Sequence, residues 1–357
     1  MEQLAKELLC EIEKIPTLDV HSHMVPTQLG AKNPGDVLFY HMVSHELRAA
    51  GMPAKLAADK TSIDLGERVK ASCEYWPALE NTGFMWGLRT ILRDLYEWDE
   101  PITLDNYEKL IATMADKLAN PDFGASILRR GKIVRLLSCE TDGLEVPEGV
   151  DYDGMRPAVE MNPSFFAEEE PLRPYFEGLE KRTGVLIESA DSARDAIRAM
   201  YDAIDWSDKH SVGQWLSSTT VFAKTDQSVV DKFFAARGDY TPTLDERNII
   251  SAFAFLAVLD AVREHKLPIQ IATGCQYYAK GRRPVARAHP YLISDFARIC
   301  EEYPDMHFNF LMGYEGLEHE LACLATAYPN VSLTSAWWHD FYPSVMQHVL
   351  SQRLDIT

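Results

Sequence analysis

The segment Thr17-Leu18-Asp19-Val20-His21-Ser22-His23 carries the sharpest structural signal of the chain. An amphipathic helix is predicted before it, over residues 3–14, and Pro16 ends that helix. The segment itself is typical of a short, early β-strand that ends in polar residues. Histidines at positions i and i+2 of a strand lie on the same face, so His21 and His23 can reach one metal ion. We therefore predict a divalent-metal site here, with zinc as the first candidate ion.

Downstream of this strand the pattern becomes helical. From about residue 35 to 130, apolar residues recur at spacings of three and four, as at Tyr107, Leu110, Ile111 and Met114, and no strand pattern occurs. After Gly131, short apolar strands alternate with helices. Such alternation is typical of a parallel sheet covered by helices. The sequence therefore predicts an α/β fold with a helical insertion, residues 35–130, after strand 1.

The second part of the chain supplies further strands and helices. Apolar runs predict strands at residues 133–137, 155–160, 268–274, 307–311 and 331–335. Helices are predicted over 293–302 and 317–327, around 193–204, and from the capping-box sequence Thr243-Leu244-Asp245-Glu246 to about Glu264. In all, about seven strands precede Thr357, one fewer than a (β/α)8 barrel needs. An eighth strand would be expected next.

Composition narrows the class of protein. The chain has 357 residues, 46% of them hydrophobic and 25% charged, which fits a single globular domain over 1–357. It has 54 acidic and 35 basic residues, and a net charge of −19 disfavours nucleic acid and anionic membranes as partners.

The longest apolar stretch, Ile249 to Leu259, is shorter than the roughly 20 residues of a membrane span. The N-terminus does not resemble a signal peptide. Six dispersed cysteines without a CxxC pair fit a reduced, cytoplasmic protein.

Other polar residues are candidates for substrate contacts. His41 and His45 have helical i, i+4 spacing, but Glu46 follows the second histidine, so the HExxH zinc motif is absent. Either His41 or Tyr40 can serve as a substrate contact, and a solvated helix face is the alternative. Arg156 lies in a strand-like run, where it suits a substrate carboxylate or a structural ion pair.

Two more segments contain candidate substrate contacts. His210, in the polar segment Asp208-Lys209-His210-Ser211, is a candidate polar contact or a plain loop histidine. Trp337 and Trp338 follow a strand and can line a sugar pocket or pack at a barrel rim. Asp142 is a further strand-end carboxylate. Glycine-rich nucleotide motifs and the GxSxG motif are absent, which disfavours nucleotide enzymes and serine hydrolases.

Taken in order, these segments resemble the uronate isomerase family of the amidohydrolase superfamily over nearly the whole chain. His21-Ser22-His23 is similar to the opening metal strand of the family, and the helical insertion follows it there too. The remaining similar segments are Leu47-Arg48-Ala49-Ala50-Gly51-Met52, Cys139-Glu140-Thr141-Asp142, Arg156-Pro157 and Ser335-Ala336-Trp337-Trp338-His339-Asp340.

The resemblance implies a (β/α)8 TIM barrel of the metal-dependent hydrolase type and an isomerase of carbohydrate metabolism. It implies that an aldose uronate, D-glucuronate or D-galacturonate, is interconverted with its ketose form. His21 and His23 would bind the metal, Arg156 would face the substrate, and Trp337 and Trp338 would line its pocket. The catalytic base is not identified, because the family's eighth-strand aspartate has no counterpart before Thr357. The oligomeric state is open, a homo-oligomer included.

Two alternatives remain open at this point. The first is a metal-dependent hydrolase of the same superfamily that cleaves an amide, ester or lactone, because His21 and His23 serve either chemistry. The second is a non-catalytic relative. The family has glutamine-leucine-histidine on its fifth strand, whereas this chain has Gln270-Ile271-Ala272 and so lacks that histidine.

Overall fold

The computed structural model describes residues 2–24, 29–58, 61–138, 155–157, 159–161, 172–207, 209–216, 222, 226–276, 285–286, 288–334 and 342–356. These residues divide into two compact units, and the boundary falls between Arg156 and Pro157. Asp142, Trp337 and Trp338 lie outside the described residues, as do the whole segments Cys139–Asp142 and Ser335–Asp340.

The first unit is mainly helical. Its helices and strands are α1 (Glu2–Ile12), β1 (Thr17–Ser22), α2 (Pro34–Leu38), α3 (His41–Ala49), α4 (Ala54–Ala57), α5 (Leu65–Ser72), a 3-10 helix (Trp76–Leu79), α6 (Gly83–Tyr96), α7 (Tyr107–Leu118), α8 (Phe123–Arg130), β2 (Ile133–Ser138) and β3 (Met155–Pro157). Every regular element described between β1 and β2 is a helix, as the three- and four-residue spacing predicts.

Helices α2 to α7 of the first unit share one hydrophobic core. Leu38 of α2, Leu47 of α3, and Leu110 and Met114 of α7 are completely buried in it. The latter two belong to the apolar stripe that predicts α7 from the sequence. The strands form a separate three-stranded sheet in which β2 lies between β1 and β3, and β1 runs parallel to β2.

The second unit alternates strands with helices. Its elements are β4 (Val159–Met161), α9 (Leu172–Thr183), α10 (Ala190–Asp202), β5 (Val212–Trp215), α11 (Gln227–Ala235), α12 (Leu244–Val262), a 3-10 helix (Arg263–His265), β6 (Ile269–Thr273), β7 (Cys275–Gln276), β8 (Val285–Ala286), α13 (Leu292–Glu302), β9 (Phe308–Met312), a 3-10 helix (Glu315–Leu317), α14 (Glu318–Ala327), β10 (Val331–Leu333) and α15 (Pro343–Ile356).

Five of these strands form one parallel sheet in the order β10-β9-β6-β5-β4. Alternate residues of β6 and β9 face the helices, where Ile269, Ile271, Phe308 and Phe310 are buried in the main core of the unit. The strands β7 and β8 form a small antiparallel pair. Alternating strands and helices therefore build a parallel sheet, as the sequence predicts.

The helix α12 is the centre of this core. Thr243 caps it, because its hydroxyl accepts the N–H of Glu246 while the Glu246 carboxylate accepts the N–H of Thr243. Most of its residues from Ile250 to Val262 are buried, which is typical of a helix that is apolar all round. The predicted start of this helix is thus confirmed, and its α-helical part ends at Val262, just before the predicted Glu264.

Two strand predictions differ from the structure. The single strand predicted at residues 155–160 is two strands, β3 and β4, which belong to different sheets. Pro157 explains the break, because it has no N–H to donate to a strand ladder. The strand predicted at 268–274 ends at Thr273, and Gly274 has a φ of +97°. A Cβ there would lie 2.7 Å from the amide nitrogen of Tyr314, so this close approach requires glycine.

Among the described residues, no helix combines the length and the apolar composition needed to cross a bilayer.

Candidate functional site

The two histidines of the HxH segment lie side by side at the carboxyl end of β1. His21 is the penultimate residue of the strand, and His23 follows its last residue. Their ring centroids are 5.0 Å apart, and the ring planes are nearly perpendicular, at 84°. His21 is half-buried and His23 is exposed. The structure therefore brings together the two residues predicted to bind a metal.

The strand pairing is irregular at His21. Asp19 pairs with Leu136 and Ser22 pairs with Ser138, so β1 has two residues where β2 has one. An extra residue of this kind is a β-bulge, which bends the strand and redirects a side chain. His21 is one of the two residues within the bulge. The same-face rule for i and i+2 therefore does not by itself position the two rings.

Asp19 is a site residue to which sequence reasoning assigned no role. Its Oδ1 accepts the backbone N–H of His21 at 3.1 Å, which fixes the backbone at the bulge. Burial raises the pKa of the Asp19 carboxyl, and the hydrogen bond from His21 acts in the opposite direction. The sequence signal that could have identified Asp19 is its position two residues before His21 on the same strand.

Two serines hold the turn that follows His23. The backbone N–H of Met24 donates to the hydroxyl of Ser22 at 3.2 Å. The hydroxyl of Ser138, at the carboxyl end of β2, donates to the carbonyl of Met24 at 2.5 Å. Ser138 is completely buried. The carboxyl ends of β1 and β2 are therefore joined directly beside His23, and Ser138 is a second residue without a role in the sequence prediction.

The histidine pair suits a borderline divalent cation such as zinc. Neutral imidazole nitrogens are common zinc ligands, and the 5.0 Å separation of the rings allows both to approach one ion. A catalytic zinc usually has three protein ligands. Within the described part of the chain, no group of three or more histidine, cysteine, aspartate or glutamate side chains is placed to hold a metal. The described residues thus place two candidate ligands, His21 and His23, side by side.

The roles of the other predicted contacts rest on the sequence. His41 is the first residue of α3 and Arg156 lies in β3, but the structure does not describe their side chains. His210 is exposed and lies two residues before β5, at the amino end of that strand. Barrel enzymes keep their sites at the carboxyl ends of the strands. The substrate-binding roles of these residues stay predictions.

The second unit carries a polar row on the sheet face opposite its helices. Gln270, Asn309 and Ser332 are paired in register on β6, β9 and β10. The Asn309 amide donates to the Ser332 hydroxyl at 2.8 Å, and the Gln270 amide donates to Asn309 Oδ1 at 3.4 Å. These three residues received no role from the sequence, because the register that aligns three separate strands is not visible in it.

Apolar side chains follow this row towards the carboxyl ends of the strands. Ala272 lies two residues after Gln270 and is buried in a small cluster with Cys275 and Leu311. Ala272 stands where the resembled family has its fifth-strand histidine. This position therefore offers no metal-binding side chain.

No protein-family profile and no curated protein sequence matches the chain. Solved structures do match it. The crystal structure of uronate isomerase from Thermotoga maritima has a TM-score of 0.80 at 15% identity, covering 98% of this chain and 82% of its own. Glucuronate isomerase from Caulobacter crescentus has a TM-score of 0.78 at 17% identity, covering 96% and 78%.

A third structure is less similar. A Lactobacillus casei protein assigned to the metal-dependent hydrolases has a TM-score of 0.54 at 13% identity, and the match covers 97% of this chain and 80% of that one. The chain is thus a mixed α/β protein with the fold found in these enzymes. The similarity to uronate isomerases predicted from the sequence is confirmed as a likeness of fold.

Proposed function

We propose that this protein is a uronate isomerase-like enzyme. Its reaction is the interconversion of an aldose uronate, D-glucuronate or D-galacturonate, with the corresponding ketose. The observation that carries the proposal is the adjacent imidazole pair, His21 and His23, at a strand's carboxyl end in a fold that is similar to solved uronate isomerases. Fold likeness at 15% and 17% identity supports the class of reaction and leaves the substrate to experiment.

His21 and His23 would hold a divalent metal, for which zinc is the first candidate. A bound divalent ion supplies Lewis-acid polarisation of a substrate oxygen, which stabilises negative charge as it develops. The protein's own part is to fix the two imidazoles. Asp19 does so through the backbone of His21, and Ser138 does so through the turn after His23. Both contacts reduce the motion of a ligand before substrate arrives.

The substrate contacts complete the proposal. Arg156 would pair with the carboxylate of the uronate, and Trp337 and Trp338 would line the sugar pocket, with His41 and His210 as further polar contacts. In the reaction, a base removes the proton from C2 of the sugar, an enediol forms, and a proton is returned at C1. The base is not assigned to a residue of this chain.

The architecture proposed for this activity is a closed (β/α)8 barrel formed by one domain, residues 1–357. Residues 35–130 would be a helical insertion after its first strand. We also propose a cytoplasmic location, in keeping with the dispersed cysteines. A metal-dependent hydrolase is the competing function, because the likeness to such a protein, with a TM-score of 0.54, points to the same superfamily.

The first experiment measures bound metal per chain by elemental analysis. The wild type is compared with the double variant His21→Asn/His23→Asn and with His319→Asn/His348→Asn, which removes two exposed histidines of the second unit. We expect about one equivalent of divalent metal in the wild type and the control, and its loss from the first variant. Equal metal content in all three proteins would refute the metal site.

The second experiment tests the reaction. The metal-loaded wild type is assayed with D-glucuronate and D-galacturonate, and in parallel with a panel of sugar lactones and dipeptides. Ketose formation that is lost in His21→Asn/His23→Asn supports the isomerase. Hydrolysis of the panel without ketose formation supports the hydrolase instead. A metal-bound protein that is inactive in both assays supports the non-catalytic alternative and contradicts the proposal.

A further inference from the structure

A cavity of about 700 Å³ lies within the helical part of the first unit. It is formed by the end of α5, the 3-10 helix that follows, the start of α6, and the segment 101–104 before α7. None of the residues that surround it is a candidate metal ligand or a predicted substrate contact. Its volume lies within the range of pockets that bind small organic molecules.

The floor of the cavity is apolar. Cys73, Trp76, Met85 and Ile102 line it and are all buried. Thioether and thiol sulfur are polarisable and adapt to irregular apolar ligands.

The rim of the cavity carries charges that cancel. Lys70 and Arg89 are the cations, and Glu74 and Glu80 are the carboxylates. Arg89 and Glu80 form an ion pair at 2.9 Å. The rim therefore attracts neither anions nor cations by net charge, while the whole chain, at −19, repels anions.

The lip of the cavity exposes apolar surface. Leu104 lines the cavity and is 62% exposed, in a segment where Pro101 adds a second apolar side chain. A ligand seated on the buried floor would also cover Leu104. Removing apolar surface from water contributes about 25 cal/mol per Å², so this lip adds to the affinity for an apolar molecule.

We propose that this cavity is a binding site for a neutral, largely apolar small organic molecule. The size of the cavity, its apolar floor and the zero net charge of its rim specify that class of ligand. The site is separate from the metal centre in its residues. It would therefore bind its ligand with or without metal and with or without a uronate.

The test is a fluorescence titration of the full chain with N-phenyl-1-naphthylamine, a neutral apolar probe. Ala71→Trp fills the cavity from α5, where Ala71 is half-buried and lines the wall. Ala115→Trp, on an exposed position of α7, is its matched control. We expect saturable binding by the wild type and the control, and binding at least about tenfold weaker in Ala71→Trp.

A second pair of variants tests the cavity independently, so that misfolding of Ala71→Trp would not decide the result. Leu104→Glu places a charge on the exposed lip, and Ile91→Glu places one on an exposed position of α6 outside the cavity. We expect only Leu104→Glu to weaken the binding of the probe. The metal content of all four variants should equal that of the wild type.

Two results would overturn the proposal. One is the absence of saturable probe binding by the wild type, or probe binding by Ala71→Trp and Leu104→Glu that is as tight as that of the wild type. The other is tighter binding of the anionic probe 8-anilinonaphthalene-1-sulfonate than of the neutral probe, which would contradict a ligand class chosen by a rim without net charge.

Discussion

The guanidinium of Arg353 places Nη2 2.9 Å from one carboxylate oxygen of Glu318 and 3.2 Å from the other. The Glu318 side chain is completely buried, and that of Arg353 is only 15% exposed. Arg353 also donates through Nη1 to the carbonyl of Thr334, the residue that follows β10. One side chain of α15 thus contacts both the start of α14 and the carboxyl end of β10.

Loss of this arginine should strongly destabilise the second unit. Arg353→Met leaves the Glu318 carboxylate buried without its cation, which typically costs about 3–5 kcal/mol. We expect that loss in the free energy of unfolding, measured by urea denaturation. Arg237→Met is the control, because its side chain is 45% exposed and its ion pairs with Glu180 and Glu188 should contribute about 1 kcal/mol or less. Equal losses in both variants would contradict a special role for the buried pair.

The same pair predicts a pH dependence of stability. Burial raises the pKa of the Glu318 carboxyl above its ordinary 4.5, although Arg353 opposes the rise. Because the folded-state pKa is the higher one, protonation of Glu318 favours folding. Its contribution is complete below the unfolded pKa and is lost as the pH rises through the folded one.

The variant Glu318→Gln isolates this effect because it cannot titrate. We expect the stability of the wild type minus that of Glu318→Gln to fall as the pH rises from about 4 to 7. Glu320→Gln, on the exposed side of α14, serves as the control and should leave the pH profile of the wild type unchanged. A difference that stays constant, or that grows with pH, would show that Glu318 is not held at a raised pKa.

Local sequence patterns were sufficient to predict the helices and to predict that His21 and His23 lie next to each other. The capping box at Thr243 and the apolar stripe through Leu110 and Met114 act within a few residues, so they can be read from the sequence. His21 and His23 are near each other because they are near in sequence. The bulge that contains His21 was not predicted, because it is defined by the register of β1 against β2 and has no local signature.

Non-local pairing limits what the sequence reveals. The strand β5, Val212–Trp215, contains Gly213 and Gln214 and shows no strand pattern, yet it is stabilised by β4 on one side and β6 on the other. Propensity is a weak guide where neighbouring strands decide the outcome. The contacts of Asp19 and Ser138 with the backbone around the histidines are likewise tertiary, and no periodicity indicates them.

Gly124, near the start of α8, is expected to be essential for packing near the proposed metal site. A Cβ at this position would lie 2.3 Å from the carbonyl oxygen of Leu29 and 3.1 Å from the nitrogen of Gly30. Both neighbours are backbone atoms, so Gly124→Ala must displace the segment that holds them. Leu29 packs in the same small cluster as Met24, which follows His23.

We expect Gly124→Ala to cost about 1–3 kcal/mol of stability, as forced overpacking does, and to weaken metal binding. Gly131→Ala is the control at the other end of α8, because a Cβ there meets only atoms at 3.5 Å. Thermal unfolding and metal titration of the two variants provide the comparison. A Gly124→Ala protein with the melting temperature and metal affinity of the wild type would refute the steric argument.

The polar row of the second unit should behave as a coupled network. Asn309→Leu removes both the acceptor for the Gln270 amide and the donor to Ser332, and Gln270 is only 5% exposed. The net contribution of one such hydrogen bond is about 0.5–1.5 kcal/mol, so for the two bonds we expect a loss of about 1–3 kcal/mol in urea denaturation. Replacement of both partners by apolar groups is often much less harmful. The double variant Asn309→Leu/Gln270→Leu should therefore recover part of the loss, whereas additive losses would show that the two amides are not coupled.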